Sequence, residues 1–116
     1  MIPSHDVRIM VATRPVDFRK GHDGLAAIIQ NQLREDPFTR TVFVFRSKRA
    51  DRLKLLFWDG TGLVMTYKRL EASGFAWPAV EDGAMTMTRL QFDALFAGVD
   101  WRKMMMPNVR RPDKIE

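Results

Sequence analysis

The chain has 116 residues, no cysteine and a formal net charge of +5. This length predicts one domain with one core, and the lack of cysteine excludes disulfides, thiolate catalysis and cysteine-ligated zinc. His5 and His22 lack metal-ligand spacing, and no apolar run approaches the roughly 20 residues of a membrane helix. We therefore expect a soluble cytoplasmic protein with no membrane association, no metal site and no cofactor.

The first elements predicted are a strand and a helix. Residues 7–13 are rich in β-branched and apolar side chains, which predicts a strand. A helix is predicted at residues 18–34, because four apolar side chains recur at the spacing of one helical face. They are Leu25, Ile28, Ile29 and Leu33. Asp17 is expected to cap the turn before this helix, and Pro37 to end it.

Three further strands are predicted at residues 41–46, 52–58 and 63–68. The polar loop 47–51 suits a hairpin between the first two, and Asp59-Gly60 is a strong turn signal between the last two. A short aromatic piece at residues 75–77 precedes Pro78 and is predicted as a fifth strand. Proline cannot donate to a sheet ladder, so this strand is placed at an edge.

A second helix is predicted to begin after Thr88, which forms a capping-box pattern with Gln91. Gly98 is a suitable stop for it. The fold class that follows is α+β: a mostly antiparallel sheet of four to five strands with two helices packed on one face. Residues 1–101 are predicted to form this single domain, and residues 102–116 a basic, flexible tail.

Positive charge is concentrated in one β-rich segment. Residues 40–69 contain eight Lys and Arg residues against two Asp, a net of +6, which exceeds the charge of the whole chain. The hairpin in this segment is the leading DNA-contact candidate, because its cations can meet phosphates and release counterions. Its basic residues are Arg46, Lys48, Arg49, Arg52 and Lys54. The competing interpretation is a charged strand edge that prevents aggregation.

Arg19 and Lys20 form a second basic cluster at the start of the first helix, where a phosphate could bind. The favoured alternative is local pairing, with Asp17 capping the helix and Asp23 pairing with one of the two cations. Trp58 is a candidate for stacking on a base, since it shares a predicted strand face with Lys54. Tryptophans in a small domain are nevertheless more often core or interface residues.

Catalysis is not predicted. A metal-dependent nuclease needs two or three convergent carboxylates, and the plausible set is Asp17, Asp51 and Asp59. The Asp-Gly turn explains Asp59, and capping explains Asp17.

Four blocks of the chain occur in the order seen in one known family. They are DFRKGHDGLA (17–26), VFVFRSKRADRLKLLFWDGTGL (42–63), YKRLEASGFAWP (67–78) and GVDW (98–101). Over residues 2–102 the chain resembles the TnpB-type small accessory protein of bacterial insertion-sequence-66 transposable elements. His22 departs from the family pattern, which usually has an apolar residue there. The resemblance implies an accessory factor for transposition, in elements whose separate large protein resembles a transposase.

The predicted function is a non-catalytic accessory protein of DNA transposition that binds mainly backbone phosphates through the basic hairpin. The alternative is a protein–protein adaptor that assembles the transposase complex without direct DNA contact. Such an adaptor would use residues 70–101, which carry one Arg and five acidic residues. The expected partners are DNA, the large transposase and other proteins of the same element, and a homodimer is also considered.

Overall fold

Five strands form one mixed sheet in the order β4-β3-β2-β1-β5. A computed structural model describes residues 7–71, 74–79 and 83–104 of the chain. The strands are β1 (Arg8–Ala12), β2 (Thr41–Arg46), β3 (Arg52–Trp58), β4 (Leu63–Arg69) and β5 (Ala84–Met87). The helices are α1 (His22–Asn31) and α2 (Arg89–Phe96), and a 3₁₀ turn follows at Trp101–Met104.

The sheet has one parallel pair and three antiparallel pairs. Strands β1 and β2 run parallel, with Arg8 opposite Thr41, and α1 makes the connection that parallel neighbours require. The β2–β3, β3–β4 and β1–β5 pairs are antiparallel. The predicted α+β class with a mostly antiparallel sheet is therefore confirmed, and the boundaries predicted for β2 and β3 match those observed.

The two helices cover opposite faces of the sheet, so the prediction that both pack on one face is wrong. Ile9 and Val11 of β1 join the core with α2, whereas Met10 and Ala12 join the core with α1. We call these sides the α2 face and the α1 face. All of the first five residues of β2, TVFVF, are buried. A strand with apolar side chains on both of its faces needs cover on both sides, and one helix on each face supplies it.

Helix α1 is shorter than predicted at both ends. It begins at His22, and its N-cap residue is Gly21, which has no side chain that could cap the helix. The preceding residues form a separate turn, in which the Lys20 N–H donates to the Asp17 carbonyl at 3.0 Å and the Arg19 N–H to the Asp17 Oδ1 at 3.0 Å. Asp17 thus caps this turn and does not cap the helix.

The fifth strand lies at residues 84–87, so its predicted position at residues 75–77 is wrong. Residues 75–77 instead fill the α2 face. The Trp77 indole N–H donates to the Ala12 carbonyl at 2.8 Å, and the Trp101 indole N–H to the Ala76 carbonyl at 2.5 Å. Aromatic side chains that bury a large area and satisfy their N–H groups in this way stabilise a core.

Helix α2 begins as the sequence predicts. The Thr88 hydroxyl accepts from the Gln91 N–H at 3.1 Å, and the Gln91 side chain accepts from the Thr88 N–H at 2.9 Å, which confirms the capping box. Gly98 has a φ of 81°, the left-handed conformation that suits glycine after a helix. The predicted tail lies outside the described residues from 105 onward. No helix in the described part of the chain is long and apolar enough to span a membrane.

Candidate nucleic-acid interface

Residues 47–51, which join β2 to β3, form an ordered loop that we call the basic loop. The Ala50 N–H donates to the Ser47 carbonyl at 3.0 Å, and the Ser47 N–H to the Arg52 carbonyl at 3.0 Å. The Ser47 hydroxyl accepts from the Arg52 N–H at 3.2 Å and donates to the Asp51 carboxylate at 3.1 Å. These bonds fix the backbone that carries the loop's cations.

The inner side of the basic loop is held by the segments that follow β4. The Phe75 N–H donates to the Ala50 carbonyl at 2.7 Å, and the Leu70 N–H to the Asp51 carbonyl at 2.8 Å. Gly74 lies so close that a Cβ there would be 3.3 Å from the Ala50 oxygen. The loop is thus tied to the rest of the fold as well as to itself.

Lys48 and Arg49 are exposed and Arg52 is half-buried. Together with Ser47 and Asp51 they line an open depression of about 350 Å³. Within the described residues, none of these three cations forms a salt bridge. Three cations that have no ion-pair partner among the described residues, placed around one open depression, make a surface suited to an anion.

Arg46 supports the basic loop from the α2 face. Its Nη1 donates to the Lys48 carbonyl at 3.2 Å, and its guanidinium carbon lies 6.0 Å from the centre of the Trp77 ring. The Arg46 side chain is therefore engaged with the loop backbone and an aromatic ring, whereas Arg52 lies on the other face of the sheet.

Lys54 is buried, which corrects the sequence-based prediction that it is a surface phosphate contact. It is 4% exposed, and its Nζ donates to the Phe18 carbonyl at 2.8 Å and to the Lys20 carbonyl at 2.9 Å. The same ammonium lies 4.9 Å from the Phe18 ring centre and 5.4 Å from that of Tyr67. Burial lowers the pKa of Lys54, and the Asp17 charge opposes that shift. Lys54 holds the turn before α1 against the sheet.

Arg19 lies on that turn and pairs with Asp17. Its Nη2 is 2.6 Å from Asp17 Oδ2 and its Nε 3.0 Å from Asp17 Oδ1, while the Arg19 side chain is 91% exposed. Hydrogen bonds from the side chain and backbone of Arg19 hold the pKa of Asp17 well below its usual range. Local pairing was expected here, but the partner is Asp17 and not Asp23. Lys20 is exposed beside this pair.

If Arg19 contacts DNA as the sequence predicts, replacing Asp17 by asparagine should raise DNA affinity about twofold at low salt, because it removes a charge that would compete with phosphate for Arg19. The asparagine oxygen can still accept the Arg19 backbone N–H. Asp93→Asn is the matched control, since Asp93 pairs with Arg89 on α2 at 3.1 Å. Anisotropy of labelled DNA measures both variants. An affinity that does not rise for Asp17→Asn would place Arg19 outside the interface.

Trp58 is remote from the basic loop. It ends β3, and Arg52 begins the same strand, so the seven residues separate them by roughly 20 Å. The Trp58 ring packs edge-to-face with Phe38, with ring centres 5.5 Å apart. The predicted grouping of Trp58 with the hairpin cations is therefore not found.

Two residues beside the predicted site were not identified from the sequence. Arg69 lies directly opposite Arg52 across the β3–β4 pair, and Tyr67 lies opposite Lys54. Tyr67 is 49% exposed. Side chains alternate between the two faces of a strand, and the Asp59-Gly60 turn joins β3 to β4. Pairing the residues of the two strands outward from this turn would have placed Tyr67 and Arg69 on the face that carries Arg52 and Lys54.

The carboxylates considered for a nuclease do not converge. Asp51 and Asp59 lie at opposite ends of β3. Asp59 accepts bonds from the N–H groups of Thr61 and Gly62 at 2.8 and 2.9 Å, and these bonds lower its pKa. Among residues 7–71, 74–79 and 83–104, no three His, Cys, Asp or Glu side chains are placed to hold a metal ion.

The sequence matches a family model described as "IS66 Orf2 like protein" (TnpB_IS66) over residues 7–106. The chain belongs to this family. The resemblance inferred from the four sequence blocks is confirmed, and membership associates the chain with transposition of IS66 elements. The match includes β1 to β5, both helices and the whole basic loop.

Two relatives of this IS66 Orf2-like chain come from Sinorhizobium fredii (strain NBRC 101917 / NGR234). "Uncharacterized protein y4jC" is 47% identical over 113 residues, covering 97% of each chain. "Uncharacterized protein y4hO" is 38% identical over 103 residues, covering 88% of this chain and 90% of its own length. No solved structure matches the chain significantly.

Proposed function

We propose that this protein is a non-catalytic accessory factor of transposition that binds DNA through the end of the sheet carrying the basic loop. We call this the loop end; it includes Arg52 and Arg69. The observation that carries the proposal is the group of Lys48, Arg49 and Arg52, which have no salt-bridge partner in the described part of the chain. Family membership supplies the process in which such binding would act.

Phosphate binding follows from the chemistry of these side chains. Guanidinium groups form paired hydrogen bonds with phosphate oxygens, and lysine adds a flexible point charge. The fixed backbone of the basic loop limits the entropy lost when DNA binds. Contacts of this kind read the backbone and not the bases, so weak sequence preference is expected.

The test is fluorescence anisotropy of labelled terminal-repeat DNA and of a scrambled duplex, titrated with protein at several salt concentrations. We expect both duplexes to bind, with affinities within about tenfold of each other and a steep fall with salt. Absence of binding to either DNA at low salt would contradict the proposal.

The second candidate function is an adaptor that binds the large transposase. The observation in its favour is a pair of exposed apolar side chains on and after α2, Leu90 at 61% and Val99 at 55% exposure. A pull-down with purified transposase after nuclease treatment distinguishes the two. The adaptor would be favoured if the complex with the transposase survives nuclease treatment and Leu90→Gln abolishes it, while the protein does not bind DNA.

A further inference from the structure

We propose that the loop end binds unpaired DNA, with one base stacked on Tyr67 and the neighbouring phosphates held by Arg52 and Arg69. This inference rests on the proposed DNA-binding function and specifies its substrate as a single-stranded segment. The three residues share the α1 face of β3 and β4, where Arg52 is opposite Arg69 and Lys54 is opposite Tyr67.

Tyr67 is an exposed aromatic residue whose position is nevertheless fixed. It lies within β4 at the edge of the sheet and is 49% exposed. Its ring meets the Phe18 ring edge-to-face, with centres 5.8 Å apart and planes at 89°. A ring held in place before binding loses little freedom when a base stacks on it.

Lys54 supports this arrangement from inside the fold. Its ammonium lies 5.4 Å from the Tyr67 ring centre, and its bonds to the Phe18 and Lys20 carbonyls hold the neighbouring turn in place. The same turn carries Arg19, whose side chain is 91% exposed. The buried cation thus orders both the aromatic ring and an additional exposed cation beside it.

Arg52 and Arg69 are placed where an anion would relieve their repulsion. Like charges directly opposite each other on neighbouring strands are destabilising, and these two arginines are cross-strand partners. The Arg69–Glu71 pair is exposed, with side chains 58% and 76% accessible, so a phosphate can replace it at little cost. Same-face neighbours along a strand are about 7 Å apart, which places this arginine pair next to Tyr67.

An aromatic ring on a sheet face can stack only on a base whose own face is free. Bases in a duplex are stacked on one another, so duplex DNA would offer this surface phosphates alone. Exposed aromatics surrounded by cations are the usual arrangement for binding single strands, and stacking on them tolerates any sequence. The combination of Tyr67 with Arg52 and Arg69 therefore favours an unpaired strand.

The test compares a labelled oligothymidine with a duplex of equal length, using wild-type protein, Tyr67→Val and Tyr67→Phe. Valine preserves strand propensity but cannot stack, whereas phenylalanine keeps the ring. We expect Tyr67→Val to weaken single-strand binding about tenfold and duplex binding less than twofold. Tyr67→Phe should stay within about twofold of wild type on both DNAs. Circular dichroism and the melting temperature confirm that each variant is folded.

The outcomes separate this inference from the proposed function. Two results would overturn the stacking inference alone. In the first, wild-type protein binds single strands and Tyr67→Val binds them equally well. In the second, Tyr67→Val loses the same affinity for single-stranded and for duplex DNA. Binding of neither DNA by wild-type protein would overturn both proposals. If Tyr67→Val does not fold, wild-type protein with an oligonucleotide containing 2-aminopurine decides the matter. Stacking predicts strong quenching of its fluorescence by wild-type protein and by Tyr67→Phe, and no quenching would contradict stacking.

Discussion

Replacing Lys54 by alanine is expected to lower the free energy of unfolding by about 2 kcal/mol and the melting temperature by roughly 8 °C. The Lys54 ammonium donates to the Phe18 and Lys20 carbonyls, and both acceptors would lose their partner. Its aliphatic stem is buried as well, since the whole residue is 4% exposed. Thermal unfolding followed by circular dichroism measures the change.

Lys20→Ala is the matched control, since it removes the same charge from an exposed neighbour. We expect its melting temperature to stay within about 2 °C of wild type. The sequence alone placed Lys54 among the phosphate contacts. A Lys54→Ala variant with unchanged stability and weakened DNA binding would restore that role and contradict the buried one.

The wrong prediction that Lys54 is a surface contact and the wrong prediction that both helices pack on one face have the same cause. Alternation along β3 correctly places Arg52, Lys54 and Trp58 on one face. Packing both helices on the other side would leave this face open to solvent. The continuous apolar run in β2 was the signal that both faces are covered. Once α1 covers this face, a lysine in the middle of β3 must be buried and must find acceptors.

Elements with strong local signals were predicted well, and those set by distant contacts were not. The bounds of β2 and β3 and the Thr88 capping box follow from local patterns. Strand β5 is four residues long, and it forms by pairing with β1, more than 70 residues earlier in the chain. Residues 75–77 have strand-forming side chains, but Trp77 bonds to the Ala12 carbonyl and the segment packs into the core.

The residues of the candidate site also fall into two groups, those with a local sequence signal and those placed by distant contacts. Lys48, Arg49 and Arg52 could be identified from charge density, because loops and strand starts at a hairpin end lie at the surface. Tyr67 and Arg69 could be found only through the register of β3 with β4, which charge counting ignores. Trp58 and Lys54 lie on the same face of β3, which is why the sequence grouped them. Trp58 is nevertheless at the end of the strand that is far from the basic loop.

Replacing Arg49 and Arg52 together by glutamine is expected to weaken DNA binding at least tenfold at low salt. Each arginine that loses its charge removes a phosphate contact and the counterion release that accompanies it. Glutamine keeps a polar side chain, so solubility is little affected. The anisotropy titration used for the wild-type protein measures the loss, and the melting temperature should remain within a few degrees.

The matched control is a double variant in which Arg8 and Arg89 are both replaced by glutamine. It removes the same charge from the other end of the sheet. Arg8 begins β1 opposite Thr41, and Arg89 begins α2 directly after β5. We expect its affinity to stay within about threefold of wild type, since only the general attraction of the molecule for DNA is reduced. Equal losses in both double variants would mean that net charge, and not the loop end, determines binding.

The salt dependence of DNA binding in these three proteins tests directly whether the loop end of the sheet contacts phosphates. Each phosphate that a cation neutralises adds about 0.7 to 0.9 to the slope of log affinity against log salt. The slope should therefore be shallower by about 1.4 to 1.8 in the Arg49/Arg52 variant, in which two cations are removed, than in wild type. The Arg8/Arg89 variant should keep the wild-type slope. A slope that is the same in all three proteins would contradict a phosphate-binding surface at the loop end.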